Sequence, residues 1–287
     1  MSQGTVSRAG DEEDPAGHLQ AQEVVITLIG EYVLPGERIW AGSTVRLLRD
    51  LGFTEAAART ALGRVVSRGL LERTKQGRQV FYSATSRLVQ LLTDGHRQTF
   101  WFRYGEQPWN SCWTVVWYAI PEGRLLARRR LGRRLGFLGF GALQDGIRVA
   151  PGDREREVRE IVSSLGVGPY AVVLTGALPA WIDRSEVFAR GWDLDALHER
   201  YADFVERFAH LRGAQAVASL TAREAFVLRA HVLEAFRQIA PMDPKVADPV
   251  LRVPGIRRAA IECFDHVESV LRPRALQYFR AASTPNS

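Results

Sequence analysis

Two helical patterns one turn apart, with a basic ribbon behind them, set what the first third of this chain folds into. The first pattern is STVRLLRDLG, Ser43 to Gly52, and the second is TEAAARTALGRVVSRGLL, Thr54 to Leu71. A polar-apolar ribbon follows, LERTKQGRQVFYSA, with Gly77 at its tip. Upstream, Gln20 to Val33 repeats apolar residues at helical spacing (Val24, Val25, Leu28, Ile29 and Tyr32), and Pro35-Gly36 stops it. Ser43 is expected to cap the second helix and Thr54 the third. The order helix, helix, turn, helix, ribbon is that of a winged helix-turn-helix.

Charge is concentrated in the same stretch. Between Arg38 and Tyr82 stand nine Arg or Lys (38, 46, 49, 59, 64, 68, 73, 75, 78) and three acids, Asp50, Glu55 and Glu72. The net +6 equals that of the whole chain, with 38 basic and 32 acidic residues. Lys75 and Lys245 are the two lysines, so an arginine-rich composition inflates the overall basicity, and its localisation is the stronger signal. A basic module of this kind suits nucleic acid, because Lys and Arg neutralise phosphates and release counterions.

On a helical wheel the third helix buries Ala58, Leu62, Val65, Val66 and Gly69. It turns Ala56, Ala57, Thr60, Gly63, Arg64, Ser67 and Arg68 outward, with Arg59 at the boundary. Small residues with interspersed Arg and hydroxyls fit a major groove; the same face also reads as a solvated surface. The ribbon adds Arg73, Lys75, Arg78 and Gln79 around Gly77, a charge suited to phosphates or the minor groove. The predicted DNA-contacting set is Ser43, Thr54, Arg59, Thr60, Arg64, Ser67, Arg68, Arg73, Lys75, Arg78 and Gln79.

Beyond the ribbon, Ser86 to Phe102 reads as a helix, and four of the seven Trp then fall between 101 and 117. These aromatics fit an interdomain core first and the wall of an apolar pocket second. The pattern then runs strand (Ser111–Ile120), helix (Arg124–Leu138), two short strands around Asp145-Gly146, helix (Asp153–Leu165) and strand (Ala171–Leu178). That β-α-β-β-α-β order is ferredoxin-like. Its first helix carries Arg124, Arg128, Arg129, Arg130, Arg133 and Arg134, which are open to three readings: a solvated face, an extension of the DNA footprint, or a grip on an anionic ligand. Trp101, Trp109, Trp113, Arg128, Arg133, Arg134 and Arg237 are the candidate effector contacts. From Trp181 the pattern is helical, ending in a helix from Ile256 to Leu271 closed by Pro273 and a frayed tail.

The chain is therefore expected to be α+β: a disordered tail (1–18), a winged helix-turn-helix domain (19–92), a linker (93–110), a ferredoxin-like domain (111–180), a C-terminal helical domain (181–280) and a tail (281–287). No run approaches the roughly 20 apolar residues of a membrane span, and the polar N-terminus lacks a signal-peptide core. Cys112 and Cys263 are the two cysteines, read as inert thiols in a reduced cytoplasm. No GxGxxG, P-loop, GxSxG, HExxH or CxxC spacing occurs. His231/Glu234 and Glu262/His266 have helical spacing, but each is one pair, so no metal or cofactor is expected. A nuclease on a ferredoxin-like fold would want an acid on its first strand, and Ser111–Ile120 has no Asp.

The segments ITLIGEYV (26–33), ARTALGRVVSRGLL (58–71), GRQVFYSAT (77–85), RRLGFLGFGALQDGIRVAP (133–151), Phe236-Arg237 and Asp243-Pro244 together resemble the PaaX family of repressors of phenylacetate catabolism, over residues 21–275. The resemblance places Arg59, Thr60 and Arg64 on the DNA-reading helix and Arg73 to Gln79 on the wing. It implies a middle domain shaped like a CRISPR-associated endonuclease but used for dimerisation or sensing. It also implies a homodimer on a pseudo-palindromic double-stranded operator, released by an aryl-CoA thioester such as phenylacetyl-CoA. Two departures fall near the C-terminus. Where the family usually has His-Glu-aromatic-Arg, this chain has Glu234-Ala235-Phe236-Arg237, and Val253-Pro254-Gly255 lacks the family's Trp. The inducer therefore need not be phenylacetyl-CoA. The remaining alternative is a small-molecule binder or enzyme on this scaffold that has lost DNA binding.

Overall fold

A computed structural model of the protein describes residues 20–93, 109–213, 217, 219–246, 251 and 254–284. The expected tail 1–18, most of the linker and Trp101 lie outside the described residues.

The N-terminal region runs α1 (Ala21–Tyr32), β1 (Arg38–Trp40), α2 (Ala41–Asp50), α3 (Glu55–Ser67), β2 (Leu71–Gln76) and β3 (Gln79–Ala84). A further helix, α4, covers 86–93. The three strands form an antiparallel sheet in the order β1-β3-β2. Thr54 caps α3 as its sequence position predicts, its Oγ1 accepting from Ala57 N at 3.2 Å. Ser43 does not cap α2. That helix starts two residues earlier, after Trp40, and Ser43 sits inside it. The ribbon turns on Gly77-Arg78 with φ +59° at Gly77, a conformation that side chains with a Cβ resist.

The middle region is β4 (Cys112–Tyr118), α5 (Leu125–Phe137), β5 (Gly141–Gln144), β6 (Ile147–Pro151), α6 (Glu155–Leu165) and β7 (Ala171–Ala177). All pairings are antiparallel, in the order β5-β6-β4-β7. One face of this sheet packs Val116, Tyr118 and Ala150 on Leu131 and Leu135 of α5 and Val158 of α6. The other carries Trp113 and Val149 into the core of the C-terminal helices. Gly141 makes the second contact close: a Cβ there would lie 2.6 Å from Gly191 O. Leu125 and Leu126 are exposed at the first turn of α5.

The C-terminal region is α7 (Arg184–Gly191), α8 (Leu194–Phe208), α9 (Ala222–Ile239) and α10 (Pro254–Ser283). A capping box, Thr221 with Glu224, starts α9. The helix expected to close at Pro273 runs through it for another ten residues. Proline inside a helix costs about 3 kcal/mol, and what offsets it lies downstream. Ala275, Phe279 and Ala282 are buried in the same core as α1, α2 and α3. The end of the chain is therefore not a frayed tail up to residue 284 but the strut that joins the C-terminal helices to the basic region.

Candidate nucleic-acid interface

On α3 burial follows the wheel in part: Val66, placed on the inner side, is half-buried, and Gly69, beyond the end of the helix, is exposed. Ala58, Ala61, Leu62 and Val65 are buried, while Thr54, Arg59, Thr60, Arg64, Ser67 and Arg68 are exposed. Arg73, Lys75, Arg78 and Gln79 of the ribbon are exposed as well. Six cations thus share the surface of α3 and the β2–β3 ribbon. Arg59 is paired with Glu55, one turn earlier, at 2.7 Å. Arg68 reaches Gln22 of α1 at 3.4 Å. The side chains of Arg64, Arg73, Lys75 and Arg78 make no hydrogen bond or ion pair among the described residues. Ser67 Oγ donates to Arg64 O at 2.9 Å, so its hydroxyl is occupied locally.

One predicted contact is elsewhere. Ser43 is 0 % exposed, and its hydroxyl donates to Ser283 O at the end of α10. Arg46, one turn on, donates to Ala282 O. Two polar groups of α2 thus satisfy carbonyls that the last turn of a helix leaves unpaired. Asp50, one of the three acids in the basic stretch, accepts from Arg223 Nε at 2.8 Å and from the Tyr278 hydroxyl. Its charge is neutralised on the inner side, so it subtracts little from the outer field.

Among the described residues, the predicted effector contacts fall in three separate places: the Trp109–Trp113 pair, the helix α5 and Arg237. Trp113 is 1 % exposed and packs against Trp109 (4.8 Å between centroids) and Phe188 (5.0 Å), with Trp192 beyond. Trp109 Nε1 donates to Cys112 O at 2.7 Å. These rings are core between sheet and helices. Arg237 is on the far side of the C-terminal helices, donating to Thr27 Oγ1 of α1. Of the arginines on and beside α5, Arg128 is paired with Asp145, Arg124 donates to Gly166 O at 3.1 Å, and Arg134 donates to Ser164 Oγ at 2.6 Å. Arg129, Arg130 and Arg133 face solvent. Asp243, of the Asp-Pro pair, is fully buried and accepts from the Tyr201 hydroxyl, with Arg257 Nε at 3.1 Å, so its role is structural.

Among the described residues no group of three or more His, Cys, Asp or Glu is placed to hold a metal ion. No helix among them is long and apolar enough to cross a membrane. Cys263 is buried and its thiol is pushed up by burial; Cys112 is half-buried.

The chain is thus an α+β protein with a basic helix-and-ribbon face at its N-terminal end, fused through a long helix to a larger body. Family models match it over three consecutive segments. These are PaaX-like protein at residues 20–88, the PaaX protein central Cas2-like domain at 106–188 and the PaaX-like protein C-terminal domain at 192–281. It belongs to the PaaX family. It is 26% identical over 249 residues to the transcriptional repressor PaaX of Escherichia coli (strain K12), covering 85% of this chain and 77% of that protein. Among solved structures it is similar to the uncharacterized protein Rv0674 from Mycobacterium tuberculosis, at 20% identity and a TM-score of 0.48, covering 89% of this chain and 98% of that one.

Proposed function

We propose that the protein is a DNA-binding transcriptional repressor rather than an enzyme, acting as a homodimer in the cytoplasm and released from its operator by a small-molecule effector. The observation that carries the reading is the exposed cationic surface of α3 and the β2–β3 ribbon, four of whose cations have no partner among the described residues. In this reading the N-terminal region is a winged helix-turn-helix. The face bearing Thr60, Arg64 and Arg68 enters the major groove, and Arg73, Lys75 and Arg78 hold the adjacent backbone. The strand order β5-β6-β4-β7 supports a ferredoxin-like middle domain. The similarity to a protein named a transcriptional repressor supports the output. An effector of the aryl-CoA type would find its phosphate partners among Arg129, Arg130 and Arg133, which are exposed on α5.

The test is a salt titration of binding to the DNA upstream of the protein's own coding region. Arg64→Ala is expected to weaken operator binding more than non-specific binding. Lys75→Ala is expected to weaken both alike and to reduce the salt slope by about one. Equal effects of the two variants would overturn this division of labour, and no binding by the unaltered protein would overturn the repressor reading.

A further inference from the structure

We infer that in the DNA-free protein the acidic run Asp11-Glu12-Glu13-Asp14 docks on a cationic corner of the same chain, formed by Arg64 and Arg68 of α3 and Arg87 of α4. Four acids stand in a row in that run, and nowhere else in the sequence do even two adjoin. Arg8 is the one basic residue, histidine aside, among residues 1–19, so this segment is net −3 in a chain of net +6.

The chain enters the described structure at that corner. Gln20 is exposed, and Gln22 in the first turn of α1 accepts from Arg68 Nη1 at 3.4 Å. Arg87 Nη1 donates to Arg68 O at 3.0 Å, which brings a second guanidinium beside the first residue after α3. Arg64 lies one turn before Arg68, about 5 Å along the helix. Asp14 stands six positions before Gln20, a reach of up to about 20 Å, which covers the corner. All three arginines are exposed, and among the described residues none of them pairs with a carboxylate. Gln20 gives α1 no side-chain cap, so the N–H groups of its first turn add to the positive field there.

A single exposed ion pair is weak and screened by salt. Here several act together, and a short tether holds the run at an effective concentration of about millimolar. Modest affinity is then enough for docking. The corner overlaps the face proposed to meet DNA, so the carboxylates take the place of phosphates. An occupied face lowers the affinity for every DNA sequence by one factor, the inverse of the open fraction. Retention on non-specific DNA falls while the preference for an operator is kept. That consequence rests on the repressor reading; the docking does not.

A labelled peptide of residues 1–20, added to full-length protein at low salt without DNA and followed by fluorescence anisotropy, tests the docking. The receptor is the full chain with its own run neutralised by D11N, E12Q, E13Q and D14N. The peptide is expected to bind it saturably, and to bind the unaltered protein about fivefold more weakly, as when its own run covers the corner four-fifths of the time. Adding Arg64→Gln and Arg68→Gln to the neutralised chain is expected to weaken peptide binding by about tenfold. Arg156→Gln with Arg190→Gln removes the same charge from exposed positions on α6 and α7 and is expected to change nothing. No saturable binding, equal binding to neutralised and unaltered protein, or equal loss in both arginine pairs would overturn the inference. So would a difference between neutralised and unaltered protein that fades on dilution, since the run would then be docking on a second copy. Gel shifts report separately: the neutralised chain is expected to bind operator and unrelated DNA about fivefold more tightly at low salt, with the gain lost at high salt. Peptide binding without any DNA binding would sink the repressor reading and leave the docking standing.

Discussion

Arg229 of α9 reaches Glu31 of α1 with Nη2 2.6 Å from Oε2, while its Nε lies 2.9 Å from Glu268 of α10. The guanidinium also lies 5.0 Å from the centroid of the Tyr32 ring. Burial works against its charge, but the hydrogen bonds to Glu268 and the field of Glu31 outweigh that and hold Arg229 protonated above its ordinary range. One cation thus ties three helices from the two ends of the chain. Arg229→Met is expected to leave two carboxylates facing an apolar seam and to destabilise by about 3 kcal/mol or more. Urea unfolding measures the loss. The double variant with Glu31→Gln should recover part of it, since the uncompensated charge causes most of the damage.

Phe279 stacks on Tyr32 at 4.7 Å between centroids, with 18° between ring planes. It belongs to the part of α10 beyond Pro273, in the core that holds α1 to α3. Phe279→Ala is expected to cost about 3 kcal/mol. If the strut joins the two ends cooperatively, near-ultraviolet circular dichroism and backbone ellipticity will still report one transition at a lower temperature. Two separated transitions would show that the N-terminal region unfolds on its own.

The face of α3 was legible in the sequence because burial there follows a period of 3.6 with Thr54 marking the start, and periodicity is what one sequence carries best. Ser43 was misread for a related reason. A hydroxyl ahead of an apolar run looks like a cap, whereas its partner, Ser283, is 240 residues away. The continuation of α10 was hidden because Pro273 is a local stop signal and the compensating burial of Ala275, Phe279 and Ala282 is tertiary. Arg229 did leave a trace: it falls in line with Ala225, Val232, Phe236 and Ile239 on the buried side of α9. A charge at an apolar position asks for a buried partner. Which partner it found depended on how α1 and α10 pack, and no local spacing states that. The scatter of the predicted effector residues has the same origin, since Trp113 and Arg237 were grouped by residue type and not by place.

Glu55 opens α3 and holds Arg59 by a charged hydrogen bond, which pulls its own carboxyl below the usual range. Both side chains are well exposed, so the pair adds little to stability. Its effect is on the surface field. Glu55→Gln removes a negative charge from the face proposed to meet phosphates and releases Arg59 to join it. DNA binding is expected to strengthen, with the salt slope steeper by about one counterion. The melting temperature should move little. Weaker binding at low salt would mean that Glu55 positions Arg59 and does not compete for it.

Lys245 gives a signature in alkaline solution. Its Nζ is buried without a partner, and burial, with Arg154 nearby adding to it, lowers its pKa from 10.5 to about 8 against the opposing pull of Asp243 and Glu157. Between those two values the unfolded chain binds more protons than the folded one, so stability rises with pH through this window. Above pH 10 the opposite tendency sets in, because burial raises the pKa of Tyr32 to about 12 and also raises that of Tyr201. Deprotonating these phenols favours the unfolded chain. Stability from urea unfolding is therefore expected to climb from pH 8 to about pH 10 and then fall. Lys245→Met should be more stable than the unaltered protein at pH 7 and should lose the climb, because it removes the ammonium that folding has to deprotonate or bury. A variant that kept the same alkaline climb would show that another group titrates there.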